Sequence, residues 1–143
     1  MLEGAQKGNH ESVDLFVKDI YGRSYDSIGL SGDMMAACFG KVQKVCSGEA
    51  KNMYSEADIA NGLMTMVCGS CGHVADDLMK VYDCKRVFFT GGFIAHNPVT
   101  WSTITTMLHN WSKGKFHAHF LEYDGYFGAL GSLLLSKFNK TNN

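Results

Sequence analysis

The stretch RVFFTGGFIAHNPVTWSTITTMLHNWSKGKFHAHFLEYDG, residues 86–125, decides the fold class. RVFFT (86–90) is a short apolar run that follows a polar turn, and it reads as a buried strand. Gly91 and Gly92 break it. Asn97 and Pro98 then mark a helix start, with asparagine as the cap and proline at the first helical position. Trp101, Ile104, Leu108 and Trp111 lie on one helical face, and Gly114 is the expected stop. FHAHFLEY (116–123) reads as a second strand, and Asp124 as the cap of a last helix. That helix has the face Phe127, Leu130, Leu134 and Phe138. A strand, a helix and a second strand imply a parallel pair joined by a right-handed crossover.

Upstream, Val13, Phe16, Val17 and Ile20 recur at helical spacing over about residues 10–21, with Gly22 as a stop. The turn-rich YGRSYDSIGLSG (21–32) leads into DMMAACFG, read as a short helical run. Residues 43–54 read as a polar loop. The longest helix is expected from about Ser55 to Tyr82, opened by a variant capping box of Ser55 and Asp58. Gly62, Gly69 and Gly72 lie inside it. Each costs about 1 kcal/mol relative to alanine, so a close backbone or ligand is expected there.

Composition bounds the rest. The chain has 143 residues, is 45% hydrophobic and 19% charged, and carries a formal net charge of −1. That balance suits one globular domain or part of one, and argues against a disordered tail or a nucleic-acid binder. No window nears about 18 apolar residues, so no membrane span is expected. The first residues, MLEGAQKGNHE, hold no secretory h-region. Five cysteines, an odd number, favour reduced thiols and a cytoplasmic location. Four or five helices against two strands is too little sheet. Either a partner chain completes the core, or further strands precede these residues.

The chemistry-bearing residues are few. Cys68-Gly-Ser-Cys71 lies inside the long helix, without the helix N-terminus that activates a redox pair and without a second pair for zinc. Two buried structural thiols are the expected reading. His117 and His119 alternate along a strand and share a face, an incomplete metal set. No catalytic residue and no metal site are expected. Thr90-Gly91-Gly92-Phe93 is either a tight strand-to-helix turn or a place where backbone approaches a nucleotide. Tyr21, Tyr25, Met34, Met35 and Trp111 either line an apolar pocket or belong to the core. Gly125, Gly128 and Gly131 share one helix face and are expected to allow close packing on the sheet.

Three strings, VDLFVKDIYGRSYDSIGLSGDMMAACFG, RVFFTGGFIAHN and WSKGKFHAHFLEYDGYFGALGSLL, together resemble the eukaryotic-type (type II) pantothenate kinases, over about Lys7 to Phe138. The resemblance implies an α/β fold: the C-terminal part of the second lobe of an actin-like (ribonuclease-H-like) kinase. It would comprise a helical dimerisation region at about 9–82 and a βαβα end at about 85–138. It implies phosphorylation of pantothenate to 4'-phosphopantothenate with ATP and Mg2+, the first step of coenzyme A biosynthesis. It also implies a homodimer inhibited by acyl-coenzyme A.

By that resemblance Gly91 and Gly92 sit at the ATP. Gly92 stands where the family often has asparagine, and Ala95 where it often has arginine. Tyr21, Tyr25, Met35, Ala36 and Trp111 resemble the residues that reach across the dimer to the pantothenate or acyl pocket, with Met35 in place of the usual valine. The family's glycine-rich phosphate loop and catalytic carboxylate have no counterpart in these residues. The expectation is therefore a chain that is inactive by itself and holds no tightly bound cofactor. The alternative is a non-catalytic dimerisation or acyl-coenzyme A-binding regulatory module.

Overall fold

The computed structural model describes residues 2–42 and 54–141. The chain divides into two compact units, Met1–Gly72 and His73–Asn143. Its elements are α1 (Leu2–Lys7), β1 (Leu15–Phe16), α2 (Val17–Tyr21), β2 (Met35–Ala37), α3 (Glu56–Val81), β3 (Arg86–Phe89), α4 (Pro98–Ser112), β4 (His117–Phe120) and α5 (Phe127–Thr141). Among the described residues, no helix is long and apolar enough to cross a membrane.

In the first unit, the helix expected over 10–21 is cut to its last turn and a half. A 3-10 turn at His10–Ser12 is capped by Asn9, whose side chain accepts from the Glu11 N–H at 2.9 Å. Leu15 and Phe16 then form β1. DMMAACFG is not helical either: Met35–Ala37 is β2 and pairs antiparallel with β1, Leu15 opposite Ala37 and Phe16 opposite Met35. Pairing across the chain prevails over local propensity here. The N–H groups of Val17 and Lys18 donate to the carbonyls of Met34 and Gly32, both at 2.9 Å. The Leu15-Phe16-Val17 run also suits a half-buried strand. The short α2 ends at Gly22, with φ 71°.

Helix α3 holds 26 residues, close to the expected span. Its start keeps half of the capping box: the Asp58 N–H donates to Ser55 Oγ at 3.1 Å. The Asp58 carboxylate turns away and accepts from the Asn9 N–H at 2.8 Å. Gly62 is a true close approach, because a Cβ there would lie 2.7 Å from Val13 Cγ2 and 3.1 Å from Phe39 Cζ. Ala5, Val13, Phe16, Val17, Met64 and Cys68 are the buried apolar residues of this unit. The loop read at 43–54 falls, apart from Tyr54, outside the described residues.

In the second unit the strand–helix–strand order and the parallel pairing are as read. Strands β3 and β4 pair in parallel, with Arg86 opposite His117, Val87 opposite Ala118, Phe88 opposite His119 and Phe89 opposite Phe120. Asn97 caps α4, its side-chain oxygen accepting from the Thr100 N–H at 3.3 Å, with Pro98 in the first turn. Ile104 and Leu108 are its buried stripe. Trp101 packs beside Phe120 and donates from Nε1 to the Ile94 carbonyl at 2.7 Å. The helix closes on Lys113 (φ 53°), with Gly114 next, also left-handed.

Three expectations fail in this unit for one reason. Strand β3 is not buried, since Phe88 remains 56% exposed. The Phe127, Leu130, Leu134 and Phe138 face of α5 is exposed. A Cβ at Gly125, Gly128 or Gly131 would meet nothing within 4 Å, so their close packing is not made. Helix α4 covers one sheet face, and among the described residues β3 and β4 are each paired on one edge only. Asp124 also differs from its expected role. It opens a 3-10 turn (Asp124–Tyr126), and α5 begins after it.

Candidate functional site

The first candidate is the hairpin tip between α2 and β2, residues 21–36. Tyr21 and Tyr25 stack at 5.0 Å between ring centroids, and both are exposed. The tip is closed by reciprocal backbone bonds between Tyr25 and Leu30, and turned by Gly29 at φ 74°. Ser24 Oγ accepts from the Gly32 N–H at 2.9 Å. Met34 is exposed, Met35 half-buried and Ala36 exposed. Tyr21, Tyr25, Met35 and Ala36 are thus brought into one hairpin.

The base of that hairpin is held by charges. Asp14 is fully buried. Its Oδ1 accepts from the Phe39 N–H at 2.8 Å, and its Oδ2 lies 3.0 Å from His10 Nδ1. Asp19 Oδ2 accepts from Lys41 Nζ at 2.7 Å and from the Phe16 N–H at 2.8 Å. The Lys41 contact first, and the Phe16 N–H second, hold the Asp19 carboxyl below its ordinary range. Lys41 also donates to the Glu11 carbonyl at 2.9 Å. Lys18 pairs with Asp33 at 3.0 Å, which raises the lysine. Lys18 and Lys41 both lie over the Phe16 ring, at 5.2 and 5.5 Å. Exposed pairs of this kind contribute little stability singly. Their convergence on one ring fixes the direction in which the tip leaves the core.

Trp111 belongs to the other unit. It is half-buried and stacks on His73 at 3.5 Å between centroids, 17° between planes. The Gly91 turn lies in the same unit, at the end of β3. Gly91 has φ 114°, a conformation that favours glycine. Its carbonyl accepts from the Ile94 and Ala95 N–H groups, both at 2.9 Å. Its own N–H donates to Asp124 Oδ2 at 2.6 Å, tying the end of β3 to the segment after β4. A Cβ at Gly91 or Gly92 would meet nothing within 4 Å, so the outer side of the turn is open.

The remaining motifs separate. Cys68 is buried but Cys71 is exposed, so the two thiols do not share one buried environment. His117 and His119 share a face, with His119 stacked on Phe88 at 5.1 Å. Among the described residues, no group of three or more His, Cys, Asp or Glu is placed to hold a metal ion. A shallow apolar groove of 540 Å³ lies along Gly4, Ala57, Ile59, Ala60 and Leu63, none of them among the candidate site residues. Sequence reasoning missed Asp14, Asp19, Lys41 and the Gly91 contact of Asp124. Asp19 had a local signal, as an acid three residues after the helix cap. The Asp14–Phe39, Asp19–Lys41 and Gly91–Asp124 contacts span long stretches of chain and had none.

The family model described as Fumble matches residues 1–135. A mouse protein named 4'-phosphopantetheine phosphatase is 40% identical over 134 residues, 94% of this chain and 16% of that protein. Pantothenate kinase 1 of Arabidopsis thaliana is 37% identical over 133 residues, 92% of this chain and 34% of that protein. Pantothenate kinase 2 of the same plant is 36% identical over 135 residues, 94% of this chain and 15% of its own length. The chain therefore spans about a third or less of the length of these relatives.

Proposed function

The chain belongs to the Fumble family, and from that premise we propose that it is the C-terminal portion of a pantothenate kinase. The match over residues 1–135 carries this reading. In the complete enzyme, ATP with Mg2+ supplies the phosphoryl group, and pantothenate is the acceptor. These residues would form the end of the second lobe of an actin-like kinase, in a cytoplasmic homodimer sensitive to acyl-coenzyme A.

The geometry of each segment is compatible with a role in that enzyme. The hairpin has a fastened base and an exposed aromatic tip, which suits a segment that enters a partner protomer. There Tyr21, Tyr25, Met35 and Ala36 would give apolar walls to the aliphatic part of pantothenate. The open turn at Gly91 and Gly92 lets backbone approach the nucleotide, and Asp124 holds that turn in place. Phosphoryl transfer is mostly positioning and charge stabilisation around the phosphates. The sequence offers no counterpart of the family's phosphate loop or base, and we infer that these residues alone bind and orient but do not transfer.

The second reading is a non-catalytic dimerisation or acyl-coenzyme A-binding module. It is favoured by the mouse relative, in which a stretch like this one sits in a protein named for a phosphatase. The test is to assay the chain alone for pantothenate phosphorylation and to titrate it with ATP and acetyl-coenzyme A by calorimetry. No turnover, with a nucleotide signal abolished by Gly91→Val, supports the kinase portion. Turnover by the chain alone contradicts it, and binding of acetyl-coenzyme A without ATP favours the module.

A further inference from the structure

We propose that Lys41 is a positioning residue for the pantothenate site: a brace, anchored on the body of the first unit, that sets where the Tyr21–Tyr25 stack is held. The inference rests on the reading of the hairpin as a wall of that site. The brace starts from a fixed backbone. The Lys41 N–H donates to the carbonyl of the fully buried Val13 at 3.0 Å, and the Lys41 carbonyl accepts from the Tyr54 hydroxyl at 2.7 Å. From there the side chain crosses to α2. Its Nζ donates to Asp19 at 2.7 Å and to the Glu11 carbonyl at 2.9 Å, and lies over the Phe16 ring at 5.5 Å. The Lys41 and Asp19 side chains are only 28% and 27% exposed, so water screens this pair less than it screens an exposed one.

Asp19 is the point at which such a brace has leverage. Helix α2 has five residues, about 7.5 Å of length, and helices this short do not hold by themselves. Its start is fastened through Asp19, whose Oδ2 accepts from the Phe16 N–H as well as from Lys41. Tyr21 is the last residue of the helix, and its ring stacks on Tyr25. One contiguous path therefore runs from the Lys41 backbone through Asp19 and α2 to the aromatic tip.

The other bonds of the hairpin serve differently. Those from Val17 to Met34, from Lys18 to Gly32 and between Tyr25 and Leu30 join its two legs to each other. They keep the hairpin formed without deciding where it points. Asp14 ties Phe39, on the returning leg, to the core. Lys18 also reaches Glu11, at 3.7 Å, but through two exposed side chains, and such pairs contribute little. Both tyrosines are exposed, so the tip is aimed from its base rather than by packing of its own. Without the brace, a formed hairpin swings. On the reading above, its tip meets the aliphatic part of the acceptor and not the transferring phosphoryl group. The cost then falls on acceptor binding, which raises KM and leaves kcat.

The test uses a chimera in which these residues replace the matching stretch of Arabidopsis pantothenate kinase 1. Lys41→Met is expected to raise the KM for pantothenate about tenfold, with kcat and the KM for ATP kept within about twofold. Lys41→Arg should recover most of the loss. Asp19→Asn keeps an acceptor for the Phe16 N–H and should match Lys41→Met, and combining the two should add nothing further. Lys7→Met, which removes an exposed lysine of the same unit, should stay at the parent values. Circular dichroism checks that each variant is folded. A folded Lys41→Met chimera with unchanged KM overturns the proposal, and so does an equal loss in Lys7→Met. An inactive parent chimera counts against the kinase reading, and the brace is then decided on the chain itself. There, the residual dipolar couplings of the Asp19–Leu30 amides should shrink together in Lys41→Met while those of α3 hold. Couplings equal to the parent's overturn the proposal.

Discussion

Replacing Gly62 by alanine sets two opposed effects against each other at one position. Alanine is favoured over glycine inside a helix by about 1 kcal/mol, and Gly62 lies well inside the 26-residue α3. Against that, the added Cβ would meet Val13 Cγ2 at 2.7 Å and Phe39 Cζ at 3.1 Å. Val13 is fully buried, and Phe39 is held by the bond from its N–H to Asp14. Neither can move freely. Overpacking a fixed site costs roughly 1–3 kcal/mol. The net expectation is a loss of up to about 2 kcal/mol, the clash exceeding the helix gain. Each kcal/mol lost corresponds to a fall in Tm of roughly 4–8 °C for a unit of this size. Gly131→Ala in α5 is the control, since its Cβ meets nothing within 4 Å. It should raise helix content and leave Tm level or higher. Urea and thermal melts followed by far-ultraviolet circular dichroism measure both. If Gly62→Ala is as stable as the parent, or shifts in the same direction as Gly131→Ala, the close approach of α3 to the hairpin base is wrong.

Other outcomes follow from the same contacts. Asp14→Ala strands the buried Phe39 N–H and should cost about 2–4 kcal/mol in urea unfolding. Asp14→Asn keeps an acceptor and should cost clearly less; equal losses would contradict the assigned bond. The Asp19 and Asp58 carboxyls are held below the ordinary value of 3.8, Asp19 first by Lys41 and Asp58 first by the Asn9 N–H. Their contribution is full above that value and is lost as pH falls through their lowered values. The protection of the Val17 and Lys18 amides, relative to their intrinsic exchange rates, should therefore fall only in acid, and Lys41→Met should move that change to higher pH. Asp124→Ala frees the Gly91 N–H and should speed its exchange about tenfold or more; an unchanged rate would show that the turn stands without Asp124.

Legibility in the sequence tracked the range of the determining contacts. The crossover was readable because its signals are local: an apolar run, a glycine pair, Asn97-Pro98, and a second apolar run. Helix α3 was readable from its period and from Ser55. Where the outcome depended on distant partners, local patterns misled. Val13, Phe16 and Val17 are spaced for a helix, but the segment leading into β2 lies alongside, and its Met34 and Gly32 carbonyls take the hydrogen bonds of Val17 and Lys18. Ala36 and Ala37 favour a helix, yet that segment pairs as β2. The apolar character of β3 and α5 is plain in the sequence, but it does not bring burial. Burial needs a covering layer, and α4 supplies one on a single face. At the candidate site, the tyrosines and glycines were visible by type. The buried Asp14 and the Asp19–Lys41 contact, which aim the hairpin, were not.

The central claim is that these residues complete a pantothenate kinase. It is tested most directly by exchanging them for the matching stretch of Arabidopsis pantothenate kinase 1, with pantothenate phosphorylation by Mg-ATP as the readout. The account predicts a dimeric chimera that phosphorylates pantothenate and loses that activity on Tyr21→Ala with Tyr25→Ala. A folded, dimeric chimera with no phosphorylation, or one indifferent to loss of the two tyrosines, would contradict it.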